Sequence, residues 1–176
     1  MTKSLLALLL LLVSGFSFAN SENSNQNHKT LKSLSNNEIN NYLTGKGMGF
    51  AKPAELNNYP GPRHVLDISD ELSLSKNQID KTKFLFNQMQ STAKKLGAIL
   101  IDKEMDIENL FSSSKATSEN LSHLLIESAN IKAKIRLAHL TAHIQQKDIL
   151  NKHQIIKYNE IRGYSGDIKS AHKHHH

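Results

Sequence analysis

The chain has 176 residues, 38% hydrophobic and 6% aromatic, with no cysteine, no tryptophan and a formal charge of +6. That length fits one modest domain with tails. The missing cysteines exclude disulfides, thiolate metal sites and lipid attachment through cysteine, and the low aromatic content argues against a large ligand-stacking pocket. The positive charge favours acidic surfaces, such as anionic headgroups or acidic client chains, but no basic run of five or more residues points to nucleic acid.

In chain order, Lys3, the apolar run Leu5–Val13 and the small residues Ser17-Phe18-Ala19 read as a secretory signal peptide, residues 1–19, cut after Ala19. The run is too short for a membrane span, so membrane contact is expected to be peripheral only. Residues 20–53 read as a flexible segment with one short helix. Asn20–His28 is rich in Asn and Ser and cannot bury enough surface to offset its ordering entropy. Ser35-Asn-Asn-Glu38 is a capping box before Ile39 and Leu43, and Gly45-Lys-Gly47 stops that helix. Met48 to Gly61, with Pro53 and Pro60, reads as a linker, and the helical domain is expected over 54–164.

Pro62 suits a first helical turn, and His64–Leu72 reads as a short helix with Val65, Ile68 and Leu72 on one face. Leu74-Ser75-Lys76-Asn77-Gln78 then opens a long helix, with Ser75 as cap and Gln78 reaching back. Its apolar residues recur every seven positions at Ile79, Phe86, Ala93, Leu100 and Ile107, with a second row at Met89, Leu96 and Leu110. Ending near Phe111, it would be about 55 Å long. Gly97 inside it costs about 1 kcal/mol relative to alanine, which suggests a close helix contact or a bend. Phe111–Ser118 is a polar turn with Thr117 or Ser118 as the next cap. The second long helix carries Leu121, Leu124, Ile131, Ile135, Ala138 and Ala142, widened by Leu125, Leu137, Leu140 and Ile144. It breaks at Asp148–Asn151, where Leu150-Asn151-Lys152-His153-Gln154 repeats the leucine and capping-box device. Two long helices joined by a short turn lie antiparallel, so the fold class is all-α: a long helical hairpin with short flanking helices. The apolar stripes are wider than one partner helix covers, leaving an excess for a second subunit or for clients.

The two elements, Leu74–Gln78 and Leu150–Gln154, resemble the LTxxQ motifs of the Spy/CpxP family of periplasmic stress proteins. Tyr59-Pro-Gly-Pro-Arg-His-Val-Leu66 and Tyr158-Asn-Glu-Ile-Arg162-Gly-Tyr164 look like the variants called periplasmic heavy-metal sensors. The likeness covers roughly Ala54 to Tyr164. The motif threonine is replaced by Ser75 and Asn151, both good cap residues. The resemblance implies a cradle-shaped antiparallel homodimer in the periplasm. It implies an ATP-independent chaperone or envelope-stress adaptor that binds unfolded client proteins or an envelope sensor protein and requires no cofactor. The alternative is a sensor or resistance protein of the same fold that binds zinc, nickel or copper.

No catalytic constellation is present: there is no G-x-S-x-G and no phosphate-cradling glycine loop, so the chain is not expected to be an enzyme. Histidine is the over-used functional type, with ten copies. His139 and His143 are four apart on the second long helix, so one face carries both imidazoles within reach of a single ion. Two nitrogens do not complete a site. Pairing across the hairpin places them opposite about Gln90 and Phe86, and His64 or Asp67 is the expected additional ligand. The tail residues His172, His174, His175 and His176 form a flexible segment, 165–176, able to chelate nickel, copper or zinc without fixed geometry.

Overall fold

The computed structural model describes residues 31–164. The expected signal peptide, the Asn/Ser-rich stretch 20–28 and the tail with His172, His174, His175 and His176 lie outside the described residues. The described residues form six helices: α1 (Asn36–Thr44), α2 (Lys52–Glu55), α3 (Pro62–Asp67), α4 (Lys76–Ser112), α5 (Ser118–Ile149) and α6 (Lys152–Arg162). Among the described residues there is no strand, and no helix is long and apolar enough to cross a membrane.

Four helices open on complete capping boxes: Ser35 with Glu38, Ser75 with Gln78, Thr117 with Asn120 and Asn151 with Gln154. In each, the cap side chain accepts from the third helical N–H and the third side chain accepts from the cap N–H. Two orphan donors are thereby satisfied where the new helix would otherwise leave them bare.

Helices α4 and α5 form the expected antiparallel pair. Ala93 and Leu100 of α4 and the seven-residue series Ser128, Ile135 and Ala142 of α5 are all buried. The seam has a polar layer as well, where Gln146 Nε2 donates to Thr82 Oγ1 at 3.2 Å, both side chains buried. At the base, Leu150 lies in a buried cluster with Val65, Leu72 and Tyr158, bordered by Ile68, Leu74, Ile155 and Tyr164. The two motif glutamines face each other there. Gln78 Nε2 donates to Gln154 Oε1 at 2.9 Å, and Gln154 Nε2 to Gln78 Oε1 at 3.2 Å. Gln78 also donates to the Ile149 carbonyl at 2.9 Å, satisfying an end of α5. The motif copies are therefore two halves of one junction.

Three expectations change in detail. The short helix read over His64–Leu72 is α3, Pro62–Asp67; residues 68–73 are turns, with Ser73 at a φ of 49°. Val65 and Leu72 are buried all the same. The linker 48–61 contains a one-turn helix, α2, which contacts α5. In the segment read as flexible, the described part from 31 onwards lies against the hairpin: Leu31, Ile39 and Ile101 form a second buried cluster with Tyr42 and Met105 beside it. Gly97 explains the fit. A Cβ there would fall on the Tyr42 carbonyl, so only glycine lets the α1 backbone rest on α4. The close contact suggested by a mid-helix glycine is thus made with α1.

Elements α1, α2 and α3 cover one flank of the seam. The other flank is an open groove of about 880 Å³ between α4 and α5, lined by side chains including Phe84, Leu96, Leu137 and Ala138. Phe84 is 64% exposed and Leu137 63%, so the hairpin leaves much of its apolar surface uncovered.

Candidate functional site

Between the strap 45–64 and the middle of the hairpin lies a second concavity of about 330 Å³, walled by Met48, Glu55, His64, Met89, His139 and His143 among others. Helix α5 supplies the two histidines from one face. Helix α4 supplies Phe86, Met89 and Gln90 opposite them, as the pairing across the hairpin requires. The strap supplies the rest. It is held down by Lys147, whose ammonium sits 3.9 Å over the Tyr59 ring, and by the buried Tyr158 hydroxyl, which accepts from the Gly61 N–H at 3.3 Å. Burial pushes the Tyr158 phenol up to about 12, the Gly61 N–H opposing.

His143 is 7% exposed, and its Nδ1 lies 2.8 Å from the Tyr59 carbonyl oxygen. A carbonyl only accepts, so Nδ1 carries the proton and Nε2 holds a lone pair. That lone pair is on the side of Gly61 where Glu55 also lies. A Cβ on Gly61 would be 3.0 Å from His143 Nε2 and 3.2 Å from Glu55 Oε1. His64 Nε2 is 3.6 Å from the same Glu55 oxygen, and His64 Nδ1 is 3.7 Å from Asp67. Glu55 Oε2 accepts from the Tyr164 hydroxyl at 3.0 Å. His139 is 4% exposed, tilted against Phe50 with ring centroids 6.0 Å apart, and its buried Nε2 has no hydrogen-bond partner.

Burial lowers the pKa of both α5 histidines below the ordinary 6.5. For His139 the neighbouring His143 adds to the effect; for His143 the Tyr59 carbonyl and Glu55 oppose it. At neutral pH both rings are therefore neutral and able to ligate. No three His, Cys, Asp or Glu side chains are arranged to hold a metal ion as they stand, among the described residues.

No family model, curated protein or solved structure matches the chain. The chemistry of the site rests on its own donors. Of the sequence-expected ligands, His139, His143 and His64 are brought to one cavity, whereas Asp67 is not among its walls and pairs with Arg63 at 3.0 Å and His64 at 3.7 Å. Leu74, Ser75, Gln78, Leu150, Asn151 and Gln154 belong to the hairpin base, and Arg162 points its guanidinium to the Tyr164 hydroxyl at 3.3 Å. Glu55, Met48, Tyr59, Gly61 and Tyr164 were not singled out as site residues. Glu55 lies in a stretch read as linker, where an acid ordinarily faces solvent, and only the strap's fold-back turns it towards histidines. The Pro-Gly-Pro run at 60–62 was the available signal, since two prolines around a glycine mark a backbone held close to something.

Proposed function

We propose that the protein binds a divalent metal ion, zinc, nickel or copper, in the histidine cavity. The observation that carries this reading is one cavity that gathers His139, whose buried Nε2 has no hydrogen-bond partner, His143 with its Nε2 lone pair, and Glu55, whose Oε1 faces His64. A buried polar atom without a partner costs roughly 1–3 kcal/mol, a cost an ion would remove. Nitrogen and carboxylate donors suit zinc, nickel or copper(II), and a zinc site takes three or four ligands. Half-exposed His64 closes the set by rotating about its side-chain bonds. The Nδ1–H to carbonyl bond of His143 is the usual support of a ligating imidazole. The resemblance to periplasmic heavy-metal sensors agrees with this reading, and export, a homodimer and an envelope sensor as partner belong to the same proposal.

Calorimetric titration with zinc, nickel and copper tests it, on the full chain and on a form ending at Ser170 to remove the tail histidines. The shortened form is expected to bind one ion per chain at micromolar or tighter Kd. His139→Gln with His143→Gln, which roughly keep side-chain volume, should abolish that uptake. Binding no tighter than millimolar in the shortened form would refute the reading.

The open groove favours a second reading, an ATP-independent chaperone that holds apolar segments of unfolded chains. Its support is the exposure of Phe84 and Leu137 along a groove edged by Lys134. Equimolar protein should then suppress aggregation of a heat-stressed client, and Phe84→Ser with Leu137→Ser should weaken the effect. No suppression at any ratio would end this reading.

A further inference from the structure

Glu55 faces two ways. One carboxylate oxygen lies beside His64 and His143, and the other accepts from Tyr164. The Tyr164 hydroxyl in turn accepts from Arg162 Nη2 at 3.3 Å, so a positive charge polarises the O–H that Tyr164 gives to Glu55. Tyr164 is also part of the ending of α6. Its N–H closes on the Asn159 carbonyl at 2.8 Å, just after Gly163 in the left-handed conformation. The strap and α6 meet twice more, through Gly61 N–H to Tyr158 and through Asn159 Nδ2 to Asn58 Oδ1 at 2.6 Å. A continuous polar connection therefore runs from the cavity to the end of the C-terminal helix.

We infer that Tyr164 is the positioning residue of the cavity, and that occupancy of the cavity is coupled through Glu55 to the end of α6. The inference rests on the metal reading above. A carboxylate that gives one oxygen to a cation needs its other oxygen held, or its plane swings between rotamers. Such supporting bonds are commonly worth about 10–100-fold in metal affinity. Coupling of this kind is reciprocal: whatever Tyr164 adds to ion affinity, the ion adds to the seating of Tyr164. Glu55 is the link, because among the described residues it is the acid that meets both His64 and the ending of α6.

The test uses the full chain with zinc chloride, as parent, Tyr164→Phe, Glu55→Gln and the double variant. Calorimetry reads affinity and hydrogen exchange reads the amides of Gly163 and Tyr164. Tyr164→Phe keeps the ring in the base cluster and should lower the melting temperature by a few degrees at most, while weakening zinc at the cavity by about 10–100-fold. The double variant should bind no more weakly than Glu55→Gln alone, since both changes cut one connection. Saturating zinc should slow exchange at 163 and 164 in the parent and leave it unchanged in Tyr164→Phe. Tight zinc binding with no change in exchange in the parent would overturn the coupling while the metal reading stood, as would a Tyr164→Phe protein that binds like the parent. Zinc uptake no greater than that of a His139→Gln, His143→Gln protein would overturn the metal reading itself, and this inference with it.

Discussion

Leu150 is the residue on which α3, the 68–73 turns and α6 converge, for it shares one buried cluster with Val65, Leu72 and Tyr158. Truncating it opens a cavity among side chains that are themselves pinned by the paired glutamines, so little collapse is available. Leu150→Ala should cost about 2–5 kcal/mol. The neighbouring Asn151→Ala removes the cap bond to Gln154 N at 2.9 Å and should cost about 0.5–2 kcal/mol. Thermal melts followed by circular dichroism compare the two; a Leu150→Ala protein melting like the parent would refute the base assignment. Gly61 is a residue of a different kind, set against the cavity. An added methyl would lie 2.8 Å from His143 Cε1, so the ring or the strap must move. Gly61→Ala should therefore weaken zinc by roughly tenfold or more, in the range expected for disturbing a ligand's support, with a smaller effect on the melt than Leu150→Ala. The reverse order, a large melt shift with unchanged zinc affinity, would place His143 outside the ion site.

At the scale of elements, what could be read from sequence divides by range of interaction. The starts of α1, α4 and α6 were legible because a capping box is written in four consecutive residues, that of α5 only as Thr117 or Ser118, and the hairpin was legible because seven-residue spacing repeats along α4 and an apolar stripe runs along α5. The meeting of His139 and His143 with Phe86 and Gln90 followed from antiparallel pairing alone. The docking of α1 and the fold-back of the strap were not legible, because each depends on contacts between residues some forty or more positions apart. Tyr42 against Gly97 and Glu55 against His143 leave no periodic trace. The break of the short helix after Asp67 was missed because Val65, Ile68 and Leu72 keep helical spacing while the chain between them turns. Gly97→Ala tests the first of these contacts. Alanine gains about 1 kcal/mol of helix propensity, yet its methyl would fall on the Tyr42 carbonyl, an overpacking that costs typically about 1–3 kcal/mol. The expected result is no net stabilisation, together with faster hydrogen exchange across Asn36–Thr44, where α1 lifts and uncovers Ile101. A stabilised protein with α1 exchange unchanged would show that α1 does not rest on this glycine.

At the scale of the whole molecule, the two buried histidines make stability depend on pH in a direction that can be worked out. Both have pKa values below the ordinary 6.5, chiefly because burial disfavours the charged ring. As pH falls past 6.5, the unfolded chain takes up protons at these positions and the folded chain does not. The unfolded state then binds more protons, so stability drops with falling pH, at most by about 1.4 kcal/mol per pH unit for each histidine. The loss continues down to the folded-state values, and the full contribution is present only above the unfolded value. Glu38 and Glu127 also have lowered pKa values, Glu38 through its hydrogen bonds to Ser35 and Glu127 through Lys103, but they titrate below the ordinary 4.5. A decline between pH 7 and pH 5 therefore belongs to histidine. The metal-free protein should melt progressively lower from pH 7.5 to pH 5, and His139→Gln should flatten that slope because glutamine takes up no proton. Zinc should raise the melt most at pH 7.5 and lose its effect towards pH 5, since the proton and the ion compete for the same nitrogens. A melting temperature that is level from pH 7.5 to pH 5 in both proteins would mean that the α5 histidines protonate freely in the folded state, and the buried neutral pair on which the ion site depends would have to be given up.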